Sequence, residues 1–342
     1  MSLTDFLGTE LPIIQAPMAG VQDSRLAVAV SNAGALGSLP CALFGNDAIQ
    51  RELAALSEQT RKPFAVNFFC HRPPVADAAR ESQWRALLAP YYAELGIDPA
   101  PNGPARTPFT AESARLLSQF KPRVVSFHFG LPSPELLNEV KSWGSKVLSS
   151  ATTVAEARWL EANGADAIIA QGLEAGGHRG MFLSDDLAGQ MGTFALLPQI
   201  VRAVRVPVIA AGGIVDTSTI AAATRLGAAG VQAGTAYLLC PEATTTQLHR
   251  AALKESRANC TALTNLFSGG VARGIPNRLM QELGPIRSEA PAFPLATVAL
   301  SPLRAAAERA GSSDFSPLWA GQNVTGCREI PAARLTRDLA GI

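Results

Sequence analysis

The chain has 342 residues, room for one large α/β barrel with additions. Its 29 basic and 28 acidic residues form no block of like charge, so nothing recommends nucleic acid or an acidic membrane as a partner. Hydrophobic residues reach 47% and charged ones only 17%, which suits a well-buried parallel sheet that requires neither metal nor disulfide for stability.

Along the chain, Met1-Ser-Leu-Thr-Asp-Phe6 carries no basic n-region and no apolar h-region, so a cytoplasmic location is expected. Strand-like runs follow at Pro12–Ala16, Ala35–Leu39 and Phe64–Phe68. Leu26 to Asn46 is uncharged, but Ser, Asn, Gly and Pro interrupt it, which reads as two buried elements and a turn. After the third strand the rhythm breaks into an insertion over residues 70–109, Pro-rich at both ends (His71-Arg-Pro-Pro74 and Asp98 to Pro104), with a helical pattern from about Val75 to Leu95. It reads as a lid over the barrel mouth or as a dimer-forming arm.

The alternation resumes with strands at Val124–His128, Lys146–Ser149, Ala167–Ala170, Pro207–Ala211 and Gly230–Gly234. Ser133 with Pro134 opens a helix that Gly144 closes; Thr153 with Glu156 reads as a capping box ahead of Gly164; Asp216 caps a helix ending near Gly227. Eight strands with intervening helices predict a (β/α)8 barrel, with an open doubly wound sheet as the alternative. The barrel is expected over residues 1–260, with the insertion at 70–109 as a lid, and a small C-terminal helical subdomain over 261–342. Cys41, Cys70, Cys240, Cys260 and Cys327 are far apart and form no C-x-x-C, so free thiols are expected rather than disulfides or a metal site.

Barrel enzymes place their chemistry at the C-terminal ends of the strands. Those ends hold a polar, glycine-rich set: Gln15 and Met18 after the first, Asn67 on the third, His128 on the fourth, and Gln171, Gly176 and His178 after the sixth. Gly212 and Gly213 follow the seventh; Gln232, Gly234 and Thr235 belong to the eighth. Glycine pairs at the last two strands suit phosphate binding on backbone N–H groups. The loop Gln171 to Gly180 combines close backbone approach with a histidine able to move a proton near neutral pH. His128, within Phe-His-Phe, is read as either a satisfied core histidine or a substrate contact. His71 and His249 are expected to be solvated, Tyr91 and Tyr92 to pack the lid, and Arg179 and Arg273 to attract an anion or sit on the surface.

In Gln15-Ala-Pro-Met-Ala-Gly20, Ser31 to Gly37, Val66 to Phe69, Ser126 to Gly130, Gln171 to Gly180, Ala210 to Ile214, Val231 to Thr235, Phe267 to Asn277 and Trp319 to Gln322, the chain resembles the FMN-dependent nitronate monooxygenase family over nearly its whole length. The resemblance implies FMN across the barrel mouth. Met18 and Asn67 would meet the isoalloxazine, with Gln171 and Gly176 beside it; Gly212, Gly213, Gln232, Gly234 and Thr235 would take the ribityl chain and phosphate. It puts the catalytic histidine at His178 and a substrate-facing residue at His128. The implied reaction is oxidation of an alkyl nitronate, such as propionate 3-nitronate, by O2 to a carbonyl product and nitrite. NAD(P)H-dependent FMN reductases of the enoyl-acyl-carrier-protein or quinone type share a related barrel and are the nearest alternative. A flavin-storage barrel and a nucleotide-dehydrogenase type are more distant ones.

Overall fold

The computed structural model describes residues 2–99, 106–255 and 260–342. Eight short, largely buried strands, mostly apolar but polar toward their C-terminal ends, form a parallel sheet. They are β1 (Ile13–Gln15), β2 (Gly37–Pro40), β3 (Phe64–Phe69), β4 (Val124–His128), β5 (Lys146–Ala151), β6 (Ala167–Gln171), β8 (Val208–Ala211) and β9 (Gly230–Ala233); β7 (Gly177–His178) lies outside this sheet. Spatial order is β1-β9-β8-β6-β5-β4-β3-β2. A parallel bridge between Ile14 and Leu36, with hydrogen bonds of 2.9 Å from Gln15 N to Leu36 O and from Leu36 N to Ile13 O, joins the two ends. The result is a (β/α)8 barrel rather than an open sheet.

The lumen is filled, not hollow. Ile14, Leu36, Ala65, Val124, Leu148, Ile169 and Ile209 point inward, and the N-terminal helix Leu3–Leu7 plugs the bottom with Leu3, Phe6 and Leu7. The uncharged stretch from Leu26 resolves into the helix Ser24–Asn32 and β2, both buried. The helix Ala332–Ala340 packs on Ser24–Asn32 and on Thr217–Arg225, so it supplies part of the outer ring despite lying about a hundred residues after β9. No described helix is long and apolar enough to cross a membrane.

Helix starts are set by local chemistry. Asp216 and Thr219 close a true capping box. The box expected at Thr153 is only half made: Thr153 Oγ1 accepts from Glu156 N at 3.2 Å, but the buried Glu156 carboxylate turns away to Thr152 N and Oγ1 at 2.7 Å and to Phe182 N at 2.8 Å. Those donors lie in the loops flanking β5 and β7, so the carboxylate ties two loops together instead of capping its own helix.

The insertion forms a helix, Ala78–Leu95, but residues 100–105 of its second Pro-rich end lie outside the described residues. Trp84, Leu88, Tyr91 and Tyr92 bury themselves against Leu279, Met280, Ala296, Leu300 and Phe315 of the C-terminal region. Trp84 Nε1 donates to Ala296 O at 3.4 Å and the Tyr92 hydroxyl to Ala299 O. Both tyrosines therefore pack the insertion, as expected. The C-terminal region also contributes an antiparallel hairpin, β10 (Ala262–Thr264) and β11 (Ala272–Gly274), whose free side takes up β7 as a third strand.

Candidate active site

A cavity of about 260 Å³ opens at the C-terminal ends of the barrel strands. All eleven residues singled out above for cofactor, substrate and proton transfer line it: Met18, Asn67, His128, Gln171, Gly176, His178, Gly212, Gly213, Gln232, Gly234 and Thr235. They come from the ends of six strands and the loops that follow them, which only barrel closure brings together.

His178 is held from both sides. Its backbone belongs to β7, with Ala272 as its partner across β11. Its carbonyl accepts from Gln171 Nε2 at 2.9 Å and pairs with His128 Nε2 at 3.1 Å. Its ring Nε2 lies 2.8 Å from Ser268 Oγ, whose hydroxyl reaches Gly270 O at 3.3 Å. If Ser268 donates to Gly270, Nε2 carries the imidazole proton and Nδ1 carries the lone pair. Nδ1 makes no hydrogen bond with a described residue. Phe293 and Trp319 wall the ring, with centroids at 5.1 and 5.6 Å. Burial pushes the His178 pKa down to about 3, helped by the positive charge of Arg106. The imidazole is therefore neutral at neutral pH, the form that accepts a proton.

His128 has both ring nitrogens engaged, Nδ1 with Ser150 Oγ at 3.1 Å and Nε2 with the His178 carbonyl. Burial lowers its pKa to about 4, which leaves it neutral as well. Gln171 is likewise fully used: Oε1 accepts from Gly180 N at 2.8 Å while Nε2 holds His178 O. Asn67 Nδ2 donates to Ser126 Oγ at 2.9 Å. The Met18 loop hangs on Gln22, whose Oε1 accepts from Met18 N at 2.9 Å and from Gln15 Nε2 at 2.8 Å.

The opposite end of the cavity is a bed of backbone. Gly212 and Gly213 adopt φ of +116° and +74°, a region open to glycine. The N–H groups of Gly212, Gly213, Gly234 and Thr235 donate to no other described residue. Gly176 is required for a different reason: a Cβ there would lie 2.5 Å from Gly321 N and 2.6 Å from Ala320 C. That approach is fixed by Gly321 N donating to Thr235 Oγ1 at 2.9 Å and Gln322 N to Glu174 O at 2.9 Å.

The sequence model of a family described as "Nitronate monooxygenase" matches residues 1–341. The chain belongs to the nitronate monooxygenase family. It is 44% identical to a nitronate monooxygenase of Paraburkholderia phytofirmans, over 99% of this chain and 93% of the relative. Among solved structures it resembles a nitroalkane oxidase from Streptomyces ansochromogenes (39% identity, TM-score 0.91, 100% of this chain and 97% of that one). A structure of FabK from Thermotoga maritima is similar at lower identity (27%, TM-score 0.74, 100% and 95%). As a member of this family the chain is an oxidoreductase.

The structure departs from expectation at several single residues. Arg179 and Arg273 are neither surface residues nor free anion receptors. Arg179 is 1% exposed and donates to the carbonyls of Gly172 at 2.7 Å and Gln171 at 2.8 Å, and to Gln190 Oε1. Arg273 donates to Leu173 O at 2.8 Å. Together they bind the carbonyls of Gln171, Gly172 and Leu173 where the Gly-rich loop leaves β6. His71 and His249 are buried, not solvated; His71 Nε2 pairs with Arg106 O at 3.2 Å. Cys41 and Cys70 do not line the cavity, and burial raises both thiols well above their usual range. Ser268, Phe293, Trp319 and Arg106 were not singled out. Ser268 and Trp319 sat inside family-like motifs, but nothing local shows that they reach a histidine 90 or more positions earlier.

Proposed function

We propose that this enzyme binds FMN across the cavity and oxidises alkyl nitronates of the propionate 3-nitronate type with O2, giving a carbonyl product and nitrite. The observation that carries the reading is His178: a neutral imidazole, fixed through Nε2, with Nδ1 unpartnered in a cavity lined by every residue the family pattern assigns.

The donor set suits FMN. The unpartnered N–H groups of Gly212, Gly213, Gly234 and Thr235 match an anionic phosphate, and Gln232 and Asn67 offer amide atoms to the ribityl chain and ring. Met18 and Gly176 border the same space. Bound there, FMN supplies the electron transfer between nitronate and O2 that no side chain can supply. The protein's part is position and proton control. His178 Nδ1 removes the α-proton of a neutral nitroalkane, and the imidazolium so formed pairs with the nitronate. For a preformed nitronate that proton transfer is not needed. His128 and Gln171 act on substrate indirectly, by fixing the His178 carbonyl and hence its ring.

The test is the visible spectrum of the purified protein, recorded anaerobically with propionate 3-nitronate or with NADH in separate cuvettes. Flavin absorbance that the nitronate perturbs, followed by nitrite release on admitting O2, supports the reading. Bleaching by NADH with no response to the nitronate would replace it with an NAD(P)H-dependent reductase on the same barrel.

A further inference from the structure

We infer that Arg106, at the end of the insertion, is the residue by which this cavity selects nitronates that carry a carboxylate at the end remote from the nitronate group. The inference rests on the nitronate reading above and gives the insertion a role in it.

Arg106 lines the same cavity as His178. Its backbone position is set by contacts on both sides: its carbonyl meets His71 Nε2 at 3.2 Å, and Phe109 N donates to Phe69 O at 2.8 Å. His71 in turn packs on Phe293 (centroids 4.9 Å) and Phe293 on His178 (5.1 Å). Arg106 therefore belongs to the histidine side of the cavity, not to the glycine bed at β8 and β9. Its charge is felt at His178, where it helps hold the imidazole neutral.

What sets Arg106 apart on the cavity wall is a guanidinium with no partner among the described residues. It is half-buried, yet its guanidinium makes no hydrogen bond or ion pair with a described residue. Residues 1, 100–105 and 256–259, which lie outside the description, include no Asp or Glu. The other charged side chains on the cavity wall each have a counter-group: Arg304 Nε donates to Glu308 Oε1 at 2.8 Å, and the Glu174 carboxylate accepts from Thr193 N at 2.7 Å and Oγ1 at 2.8 Å. A cation withdrawn from water without a counter-charge is unfavourable, and an anionic ligand relieves that cost. The planar five-donor fork of arginine matches a carboxylate in two parallel hydrogen bonds. A small nitronate with its head at His178 and a carboxylate tail at Arg106 satisfies both ends. A plain alkyl tail leaves the guanidinium unpaired.

The test compares two nitronates of similar size, propionate 3-nitronate and propyl-1-nitronate, on FMN-loaded wild type, Arg106→Met and Arg106→Lys. Arg106→Met should lower kcat/KM for the carboxylate substrate on the order of tenfold to a hundredfold more than for the alkyl one, mainly through KM, as expected for loss of a charged hydrogen bond. Arg106→Lys should recover part of that preference. Succinate resembles propionate 3-nitronate in shape and charge but cannot react. Calorimetric titration should show it binding wild type at least tenfold more tightly than Arg106→Met. An equal loss on both nitronates, or a preference that does not move, overturns the inference. So does succinate binding that ignores the substitution. Wild type that takes up FMN but turns over neither nitronate overturns the nitronate reading and this inference with it. Turnover of both with an unmoved preference overturns the inference alone.

Discussion

Lowering the pH from 8 to 5 charges histidines in an unfolded chain, whereas burial lowers the pKa of all four in this protein. His249 gives the cleanest magnitude, because it lies outside the cavity, is 3% exposed, and has an Nε2 with no hydrogen-bond partner among the described residues. Burial pushes its pKa to about 4, against roughly 6.5 in the unfolded chain. Above pH 6.5 both states are neutral and the full native stability is present. Below it the unfolded state takes up a proton that the folded state refuses, so stability falls until the pH passes the folded value near 4. At pH 5 that difference amounts to about 2 kcal/mol from His249 alone. His71, His128 and His178 shift in the same direction. Against a typical total of about 5–15 kcal/mol this is a large fraction. Paired carboxylates lose their contribution only below their usual pKa near 4, so the window from 6.5 to 5 isolates the histidines. Urea midpoints at pH 8, 7, 6 and 5 should fall steadily below 6.5, and His249→Leu should flatten that fall by about 2 kcal/mol. A midpoint that stays constant from pH 8 to 5, or a His249→Leu slope identical to wild type, would refute the argument.

Three further outcomes are expected. His178→Asn should keep FMN, judged by the visible spectrum, and lose on the order of a hundredfold or more in activity on neutral nitroalkanes, but much less on preformed nitronates; equal losses would remove the general-base role. Gly176→Ala places a methyl against the backbone of Ala320 and Gly321, and should cost about 1–3 kcal/mol in urea unfolding and weaken FMN retention; an unchanged midpoint would mean that the 320–321 segment yields freely. Trp84→Ala should destabilise by about 3–5 kcal/mol, since a fully buried indole joins the insertion to the C-terminal helices; a loss below about 1 kcal/mol would show that the insertion docks without it.

The barrel was legible because its signals are local. A run such as Ala167–Ala170 between Gly164 and Gly172 can be little else than a buried strand, and all eight runs became strands within a few residues of their expected limits. The strand-end rule then gathered residues from six strand ends and their loops into one cavity, since in a barrel every strand end faces the same mouth. What sequence could not show depends on distant partners. Arg179 resembles any loop arginine until the chain folds back and presents the carbonyls of Gln171 and Gly172 to it. His249 sits on a polar-looking helix whose apolar side faces Leu318 and Ala320 of a much later segment. Ser268 meets His178 across 90 positions, and two residues of strand, Gly177–His178, are too short for any periodicity to register. Glu156 departs from its capping pattern for a similar reason: the pattern is local, but other donors reach the carboxylate from Thr152 and from Phe182 in a later loop.

The strand that carries His178 is completed by β11, about a hundred residues further along the chain. During synthesis the eight barrel strands have all emerged by Ala233, while β11, Ser268, Phe293 and Trp319 are still to come. Domains tend to fold from the N-terminus as they appear, so the eight strands are made before the supports of the histidine and before the last helix of the outer ring. On the proposed role of His178, competence is thus a late event in the life of each molecule, dependent on the tail's arrival. A nascent or prematurely terminated chain would hold all eight strands yet leave His178 without β11, Ser268 or Trp319 around it.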